Sequence, residues 1–185
     1  MAVTVTGVRI IAGSRKGATI FAPKGRDTRP TSDRAREAAF NLIGPVDGAR
    51  VLDLFAGSGA MGLEALSRGA ARVTFVEADR AACRAIDSNL EKLRLTGARI
   101  VQQDTGRALA LEASSGRRYD LVLVDPPYAE LDRVLPALDR YLPGLLSPDG
   151  LVVVESSART EPELPSLTMR TSRRYGSARL TLFEP

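Results

Sequence analysis

The sequence predicts an α/β protein in which helices cover both faces of a mostly parallel, seven-stranded sheet. Three observations predict it. Apolar runs of strand length alternate with helical patterns from residue 50 to about residue 154, which is typical of a parallel sheet. A glycine-rich turn follows the first of these runs, and two strand patterns without an intervening helix close the chain. These last two strands are therefore expected to form an antiparallel hairpin.

Residues 1–30 are predicted to form a small basic extension and a connection, ahead of a main domain that spans residues 31–185. Strand patterns at residues 5–11 and 18–21 flank a basic tip at residues 13–17, which favours a β-hairpin. A polar connection follows. A helix is then predicted from Ser32 or Asp33 to Gly44 and Pro45, because Ser and Asp cap helix starts and Gly-Pro ends helices.

The main domain is predicted to contain five parallel strands, at residues 51–55, 73–76, 99–103, 121–124 and 151–155, and a closing hairpin at 167–175 and 178–183. A helix from residue 79 to about residue 95 places four apolar residues on one face: Ala82, Ile86, Leu90 and Leu93. A later helix, at residues 131–146, contains Pro136 and Pro143, which predict at least one kink or break.

The most specific motif is Asp125-Pro126-Pro127-Tyr128, directly after the strand at 121–124. Two successive prolines fix the backbone and remove two N–H donors, so the strand cannot continue. A carboxylate, an unpaired carbonyl and an aromatic ring then lie at the end of the strand, where they suit a planar, amine-bearing group such as a nucleobase. The alternative is an ordinary turn after a strand.

A second motif opens the first strand–helix unit. Gly57, Gly59 and Gly62 match the spacing G-x-G-x-x-G, and Glu77 follows Gly57 by 20 residues at the end of the next strand. In nucleotide-binding turns of this pattern, the glycines let the backbone approach the ligand and the acid binds ribose hydroxyls. A tight turn with a purely structural role is the alternative.

Two aspartates help to distinguish between cofactors. Asp53 lies beside the glycine turn, where it would repel a dinucleotide pyrophosphate but attract the ammonium and sulfonium of S-adenosylmethionine. The turn amides remain available to the carboxylate of that cofactor. Asp104 follows the strand at 99–103 and is placed to accept from the adenine amine, to cap the next helix, or to do both. These residues favour S-adenosylmethionine over NAD.

Taken in order, the motifs resemble those of the class I S-adenosylmethionine-dependent amino-methyltransferases, which are Rossmann-like three-layer sandwiches. More narrowly, the chain resembles the bacterial RsmD family, the 16S rRNA (guanine(966)-N(2))-methyltransferases. Four segments carry the narrower resemblance: R-I-I-A-G at residues 9–13, R-P-T-S-D-R-A-R-E-A-A-F-N at 29–41, E-A-L-S-R-G-A at 64–70 and Y-G at 175–176.

The resemblance implies a substrate and a set of site residues. The substrate is expected to be 16S rRNA within a small ribosomal subunit or an assembly intermediate. Asp125 and the Pro126 carbonyl are expected to hold a guanine N2 amine, with Pro127 in the same rigid turn. Tyr128 is expected to stack on the base, or to cap the sheet edge. The expected cofactor-binding residues are Asp53, Phe55, Ala56, Gly57, Ser58, Gly59, Glu77, Ala78, Asp104 and Thr105.

The net positive charge lies at the start of the chain. Residues 1–40 contain eight Lys and Arg against three Asp and Glu, whereas the remaining residues contain 18 against 19. A basic element ahead of the main fold suits a phosphate backbone, although a solvated charged surface would have the same composition. The residues expected to contact RNA are Arg9, Arg15, Lys16, Arg29 and Arg34.

Composition excludes several other classes of protein. The chain contains no histidine, which removes Ser-His-Asp catalysis and His-ligated zinc, and its single cysteine, Cys83, cannot form an internal disulfide. No apolar run has the length of a membrane span, and the start of the chain lacks a signal-peptide pattern. We expect a cytoplasmic monomer without a metal site, in which Cys83 is a small core residue.

Three other functions stay open on the residues alone. A DNA adenine-N6 methyltransferase also carries D-P-P-Y, but it normally needs an extra domain that reads duplex sequence. A small NAD-dependent oxidoreductase fits the glycine turn and Glu77, but it leaves Asp53 and D-P-P-Y unexplained. A non-catalytic RNA-binding module of this fold would not depend on Asp125.

Overall fold

The structure is a computed structural model that describes residues 7–22 and 32–185. Its strands are β1 (Arg50–Leu54), β2 (Arg72–Glu77), β3 (Ala98–Gln102), β4 (Tyr119–Val124), β5 (Leu146–Ser157), β6 (Thr168–Tyr175) and β7 (Ala178–Glu184). Its helices are α1 (Asp33–Ile43), α2 (Ala60–Ser67), α3 (Arg80–Leu93), α4 (Thr105–Ser114) and α5 (Leu131–Leu145). The 3₁₀ turns Gly13–Arg15 and Tyr128–Glu130 complete the described elements.

The seven strands form one sheet in the order β3-β2-β1-β4-β5-β7-β6. Strands β1 to β5 pair in parallel, and β7 is antiparallel to both β5 and β6. The strand order reverses between β1 and β4, and such a switch point leaves a crevice beyond the carboxyl ends of the strands. The predicted fold class and the closing antiparallel hairpin are therefore confirmed.

Two apolar layers cover the sheet. On one face, α1, α2, α3 and residues 7–22 pack against the sheet through a cluster that includes Phe40, Leu63 and Ile86. On the other face, α4 and α5 form a cluster that includes Leu109 and Leu138. The predicted apolar face of α3 is buried, and Cys83 is buried beside it. Helix α3 therefore buries the stripe that its sequence periodicity indicates.

Polar caps define where three of the helices begin. The side chains of Ser32, Asp79 and Asp104 accept hydrogen bonds from the backbone N–H three residues later, at the start of α1, α3 and α4 respectively. Such caps satisfy donors that have no partner inside the helix. Helix α1 ends at Ile43, directly before Gly44. The predicted bounds of α1 are therefore confirmed.

Helix α5 runs unbroken through both of its prolines, so the expected break does not occur. Pro136 and Pro143 are seven residues apart, or two helical turns, and both are exposed. The N–H group that each proline lacks would have bonded to the carbonyl four residues earlier, of Asp132 or Asp139. Because this is the solvent side of the helix, water can satisfy those carbonyls while the opposite, apolar side stays packed.

Residues 7–22, which we call the arm, form a looser hairpin than predicted. One antiparallel bridge joins Arg9 to Thr19, and backbone N–H groups of Ile10 and Ile20 donate across it, to Ala18 and Val8 at 2.9 and 3.1 Å. The predicted strands shrink to this bridge because other backbone donors of the arm bond to α2 instead of to a second strand. Residues 5 and 6 of the first predicted strand, and Arg29, lie outside the described residues. Within the described ranges, no helix has the length and apolar character needed to cross a bilayer.

Candidate active site

The predicted site residues come from four adjacent strands. Leu54 at the end of β1 pairs with Val76 of β2 on one side and with Val124 of β4 on the other. Glu77 and Asp125 each follow these partners by one residue, so both lie at the same edge of the sheet. Asp104 lies two residues beyond the end of β3, which pairs with β2. We call this edge, where β1 to β5 end, the carboxyl edge.

The turn after β1 has an unusual backbone. Phe55, Gly57 and Gly59 all have positive φ, at 59°, 58° and 83°. Glycine adopts this conformation without strain, but phenylalanine does so at some energetic cost. Such a residue persists where the surroundings over-determine the backbone, which is common at ligand-binding turns. Ala56 fixes the turn from inside, since its N–H donates to Val76 at 3.0 Å and its carbonyl accepts from Gly59 at 2.8 Å.

Glu77 ties β2 to this turn. Its two carboxylate oxygens accept from the backbone N–H of Gly57 at 2.8 Å and of Asp79 at 2.9 Å. Each oxygen has a second lone pair, so the carboxylate can accept further donors from the open side of the edge. Ala78 follows Glu77 directly and is exposed. The predicted pair of a glycine turn and an acid is therefore in direct contact.

Asp53 is buried and short of partners. Its side chain is 2 % exposed, and Oδ2 accepts from the N–H of Gly62 at 3.0 Å. Its pKa is raised to about 8, chiefly by burial and in part by the nearby charges of Asp125 and Glu77, while the hydrogen bond from the Gly62 N–H opposes the rise. No Lys or Arg of residues 7–22 or 32–185 forms an ion pair with it. A cationic group at this edge would relieve three clustered carboxylates at once.

The third glycine of the motif serves packing. A Cβ on Gly62 would lie 2.3 Å from the ring of Phe75 on β2 and 2.9 Å from Asp53 Oδ2. Any side chain there would push the start of α2 away from the sheet. Gly62 therefore lets α2 approach closely enough for its N–H to reach Asp53.

The D-P-P-Y segment leaves β4 as a rigid turn. Pro126 is buried, Pro127 is exposed, and Tyr128 is 41 % exposed at the start of a 3₁₀ turn. The Pro127 carbonyl accepts from the N–H of Glu130 at 2.8 Å. The Pro126 carbonyl accepts no hydrogen bond from any residue that the structure describes. The turn therefore holds the carbonyl predicted to accept a substrate amine in an unbonded state, with an exposed aromatic ring nearby in the chain.

A small cavity of about 100 Å³ lies between the turn after β1 and the start of α5. It contains three predicted cofactor residues and several that sequence reasoning missed, and its lining residues are Phe55, Asp104, Thr105, Gly106, Glu130, Arg133, Val134 and Ala137. A much larger cavity, of about 890 Å³, lies at the opposite edge of the sheet around Ala49, Asp120 and Gly150. None of the predicted site residues lines it. Choosing the site by cavity size would therefore select the amino ends of the strands instead of the carboxyl edge.

The arm docks on α2 through Glu64. This fully buried carboxylate accepts from the backbone N–H of Ile11 at 2.9 Å and of Ala12 at 3.0 Å. It also bonds Arg68 at 2.8 Å and lies 3.5 Å from Arg36 of α1. Three of the segments that carry the family resemblance, at residues 9–13, 29–41 and 64–70, therefore meet at one side chain.

Asn89 links the arm to the glycine turn, and sequence reasoning missed it. This fully buried side chain of α3 accepts from the N–H of Phe21 at 2.7 Å. Its amide donates to the carbonyls of Phe21 and Ser58, both at 3.0 Å. A polar residue beside the apolar stripe of α3 was the available signal, because a buried amide requires hydrogen-bond partners.

The residues predicted to contact RNA have different surroundings. Arg9, Lys16 and Arg34 are exposed. Arg15 is half-buried, and its guanidinium donates to the carbonyls of Leu93 and of Arg94, the latter at 3.1 Å, so it caps the end of α3.

Comparison with known proteins agrees with these observations. A family model described as "Conserved hypothetical protein 95" matches residues 8–184. The "Putative rRNA methyltransferase YlbH" of Bacillus subtilis strain 168 is 40 % identical over 183 residues, which cover 96 % of this chain and 98 % of that protein. "Ribosomal RNA small subunit methyltransferase D" of Escherichia coli K12 is 40 % identical over 163 residues, 86 % of this chain and 79 % of that one.

One solved structure with a named substrate gives a chemical comparison. The Thermus thermophilus 16S rRNA N2 G1207 methyltransferase RsmC, in complex with AdoMet and guanosine, superposes with a TM-score of 0.77 at 25 % identity. The match covers 100 % of this chain and 51 % of that one.

Proposed function

Because this chain belongs to the RsmD family of rRNA methyltransferases, we propose that it methylates the N2 amine of a guanine in 16S rRNA. One observation carries the proposal: the three clustered carboxylates Asp53, Glu77 and Asp125 lie beside a strained glycine turn and a rigid D-P-P-Y turn. The cluster suits a cationic cofactor, and the D-P-P-Y turn suits an amine. Both ligands would therefore meet at one edge of the sheet.

The cofactor is S-adenosylmethionine, and the residues present fit its groups. Asp53 faces the ammonium, which supplies the positive charge that the buried carboxyl lacks. Glu77 keeps its two backbone donors and accepts from the ribose hydroxyls with its remaining lone pairs. Asp104 caps α4 with Oδ2, and we assign its Oδ1, which lies 4.0 Å from Arg133, to the adenine amine. Phe55 and Thr105 line the same cavity. The neighbours Ala56, Gly57, Ser58, Gly59 and Ala78 complete the proposed cofactor contacts.

The chemistry requires placement more than activation. When bound, S-adenosylmethionine supplies an electrophilic methyl group on a sulfonium. The guanine amine is a poor nucleophile because its lone pair is delocalised into the ring. Asp125 and the Pro126 carbonyl accept its two hydrogens, which directs the lone pair at the methyl carbon and stabilises the positive charge that develops on nitrogen. Asp125 then receives the proton that the amine loses.

The choice of guanine N2 rests on two supports. RsmC, described as a methyltransferase for N2 of G1207 in 16S rRNA, matches over the whole of this chain. Tyr128 is exposed beside the proposed amine site, where it can stack on a base that has left its helix. Pro127 keeps that ring close to Asp125 by fixing the turn.

The arm and α1 supply RNA contacts to the small ribosomal subunit or its assembly intermediate. Arg9, Lys16 and Arg34 are exposed and suit phosphates, as does Arg29 by its charge. Arg15 contributes by holding the arm on α3 as well as by its charge. A ribosomal substrate is available in the cytoplasm, where we propose that the protein acts as a monomer.

The test is transfer of a radiolabelled methyl group from S-adenosylmethionine. Unmethylated small subunits, naked 16S rRNA and an unmethylated DNA duplex are offered as acceptors, with Asp125→Ala and the exposed Asp132→Ala as matched variants. We expect label on the ribosomal acceptors, recovered as N2-methylguanine, and its loss in Asp125→Ala alone. Label on DNA alone, as N6-methyladenine, would replace the proposal with an adenine methyltransferase. Equal activity of both variants would remove Asp125 from the chemistry.

A further inference from the structure

A second positively charged region lies on the far side of the D-P-P-Y turn from the arm. It consists of Arg159, Arg173 and Arg174, which we call the basic corner. All three are exposed, and none of them forms an ion pair with any residue that the structure describes. None of these arginines was among the residues predicted to contact RNA.

The register of the sheet places the basic corner at the carboxyl edge. Val124, the last residue before Asp125, pairs with Val154 of β5. Val154 pairs with Thr181 of β7, and Thr181 pairs with Ser172 of β6. Arg173 and Arg174 follow Ser172 directly and so lie at the level of Asp125. Three strand spacings separate β4 from β6, or about 14 Å. Nucleotides that flank a base held at Asp125 can span that distance.

Positive charge lies on both sides of the D-P-P-Y turn along the carboxyl edge. The arm packs on α2 and α3, which lie over β1, β2 and β3, and its Phe21 reaches the turn after β1 through Asn89. The basic corner lies beyond β5, on the other side of the strand that carries D-P-P-Y. A chain that crosses the edge would therefore have positive charge on both sides of the reacting base.

The corner also brings two like charges together, of which only one has a carboxylate partner among the described residues. Arg174 lies directly opposite Arg179 in the β6–β7 register, and like charges at such positions are destabilising. Glu161 neutralises Arg179 at 2.8 Å, but Arg179 Nε is buried without a partner in the described chain. Glu155, the other carboxylate nearby, pairs in register with Leu180, opposite Arg173. An arrangement that lowers stability is expected where a ligand restores it.

We infer that the basic corner is a second RNA-binding surface, which holds phosphates of the rRNA segment that flanks the target guanine. This inference rests on the proposed function. Arg173 and Arg174 project to opposite faces of the outermost strand, and Arg159 lies on the connection after β5, close to the β6–β7 turn because Ala158 donates to Ser177 at 2.8 Å. Together they offer phosphates a charged edge without base specificity.

The test compares Arg173→Glu/Arg174→Glu with a matched double variant, Arg72→Glu/Arg118→Glu, which reverses two exposed arginines at the opposite edge of the sheet. Binding to naked 16S rRNA and to unmethylated small subunits is measured over a salt series, with S-adenosylmethionine affinity and methyl transfer measured alongside. We expect the corner variant to lose about tenfold or more in RNA affinity and its salt slope to fall by about one to two, with cofactor affinity unchanged. We expect the loss to appear as a higher KM for RNA, with kcat retained.

The outcomes separate the two proposals. Wild-type protein that binds the cofactor but methylates no RNA would overturn the proposed function and this inference with it. An active wild type whose corner variant matches the control variant in affinity and salt slope would overturn the inference alone. A defect on subunits that is absent on naked rRNA would also overturn it, because the corner would then contact a ribosomal protein.

Discussion

Asp53 and Glu64 are both buried carboxylates within 11 residues of each other, yet their surroundings differ completely. Glu64 receives two backbone N–H groups and lies beside two guanidinium groups. Asp53 receives one backbone N–H and has two further carboxylates nearby, which helps to raise its pKa to about 8. The chain itself completes the partners of Glu64, whereas no described residue gives Asp53 a positive partner. A buried charge that the fold satisfies is structural, and one that it leaves unsatisfied indicates a ligand.

The largest expected effect is on Glu64. Glu64→Gln leaves the buried Arg36 beside a neutral amide, with the partly exposed Asp33 as its remaining carboxylate partner among the described residues. Removal of one partner of a buried ion pair destabilises by about 3–5 kcal/mol. We expect a loss of that size in urea unfolding at neutral pH, and at most a small change for the exposed Glu91→Gln. Cofactor affinity of the folded variant should stay close to wild type. Equal stability of the two variants would contradict the structural role of Glu64.

Asp53→Asn should have the opposite effects to Glu64→Gln, with cofactor affinity lowered and stability retained. The amide oxygen can still accept from Gly62, so stability should be retained or should rise once the buried carboxyl is gone. S-adenosylmethionine affinity should fall about 10- to 100-fold, because a charge-assisted contact contributes about 1.5–3 kcal/mol. Isothermal titration of this variant and of the exposed Asp87→Asn measures the difference. Full affinity in Asp53→Asn would mean that the cofactor ammonium binds elsewhere.

Because the pKa of Asp53 is raised, we expect both stability and cofactor affinity to depend on pH. A carboxyl whose pKa is about 8 in the folded state and near 4 when unfolded favours folding below pH 4, and that contribution is lost as pH rises toward 8. A cationic ligand lowers the pKa, so binding at pH 7 should release close to one proton, and affinity should rise between about pH 6 and 8. Titrations in two buffers of different ionisation enthalpy measure the release. Asp53→Asn should abolish it, and uptake of a proton by wild type would contradict the sign.

The smallest expected effect is on Asn89, which links the arm to the glycine turn. Asn89→Ala removes the hydrogen bonds to Phe21 and Ser58, so the glycine turn loses its support from the arm. We expect about threefold weaker cofactor binding, and a loss of about 1–3 kcal/mol from the unsatisfied backbone groups. The neighbouring Ser88→Ala, which is exposed, serves as the control. Unchanged cofactor affinity together with lost stability would make Asn89 a purely structural residue.

Patterns between neighbouring residues predicted most of the fold. The alternation of strands and helices, the caps at Ser32 and Asp104 and the glycine turn depend on local chemistry, and each is present. Sequence patterns left a kink or a break open in α5, because the choice depends on which side of the helix Pro136 and Pro143 face; the break is absent. The reduced hairpin of the arm was missed because its backbone donors bond to Glu64, a residue more than 50 positions away.

The candidate active site also combines features that local sequence patterns predict with features that depend on tertiary contacts. The carboxyl ends of adjacent parallel strands bring Asp53, Glu77 and Asp125 together, so spacing alone predicts their meeting. Spacing could not show that Gly62 serves packing, because that depends on the ring of Phe75 across the helix–sheet contact. Nor could it identify Asn89, whose partners belong to two other segments. Roles that depend on tertiary contacts require the structure.

The docking of the arm also has a consequence for folding. The arm precedes its partners in the chain by 52 to 79 residues, and these partners include Glu64, Ser67, Asn89 and Arg94. At about 5–20 residues per second, a translating ribosome makes those partners several seconds after the arm. The arm is thus synthesised before its partners and docks only after they have formed, and its hydrogen bonds should be among the slowest to gain protection from exchange during folding.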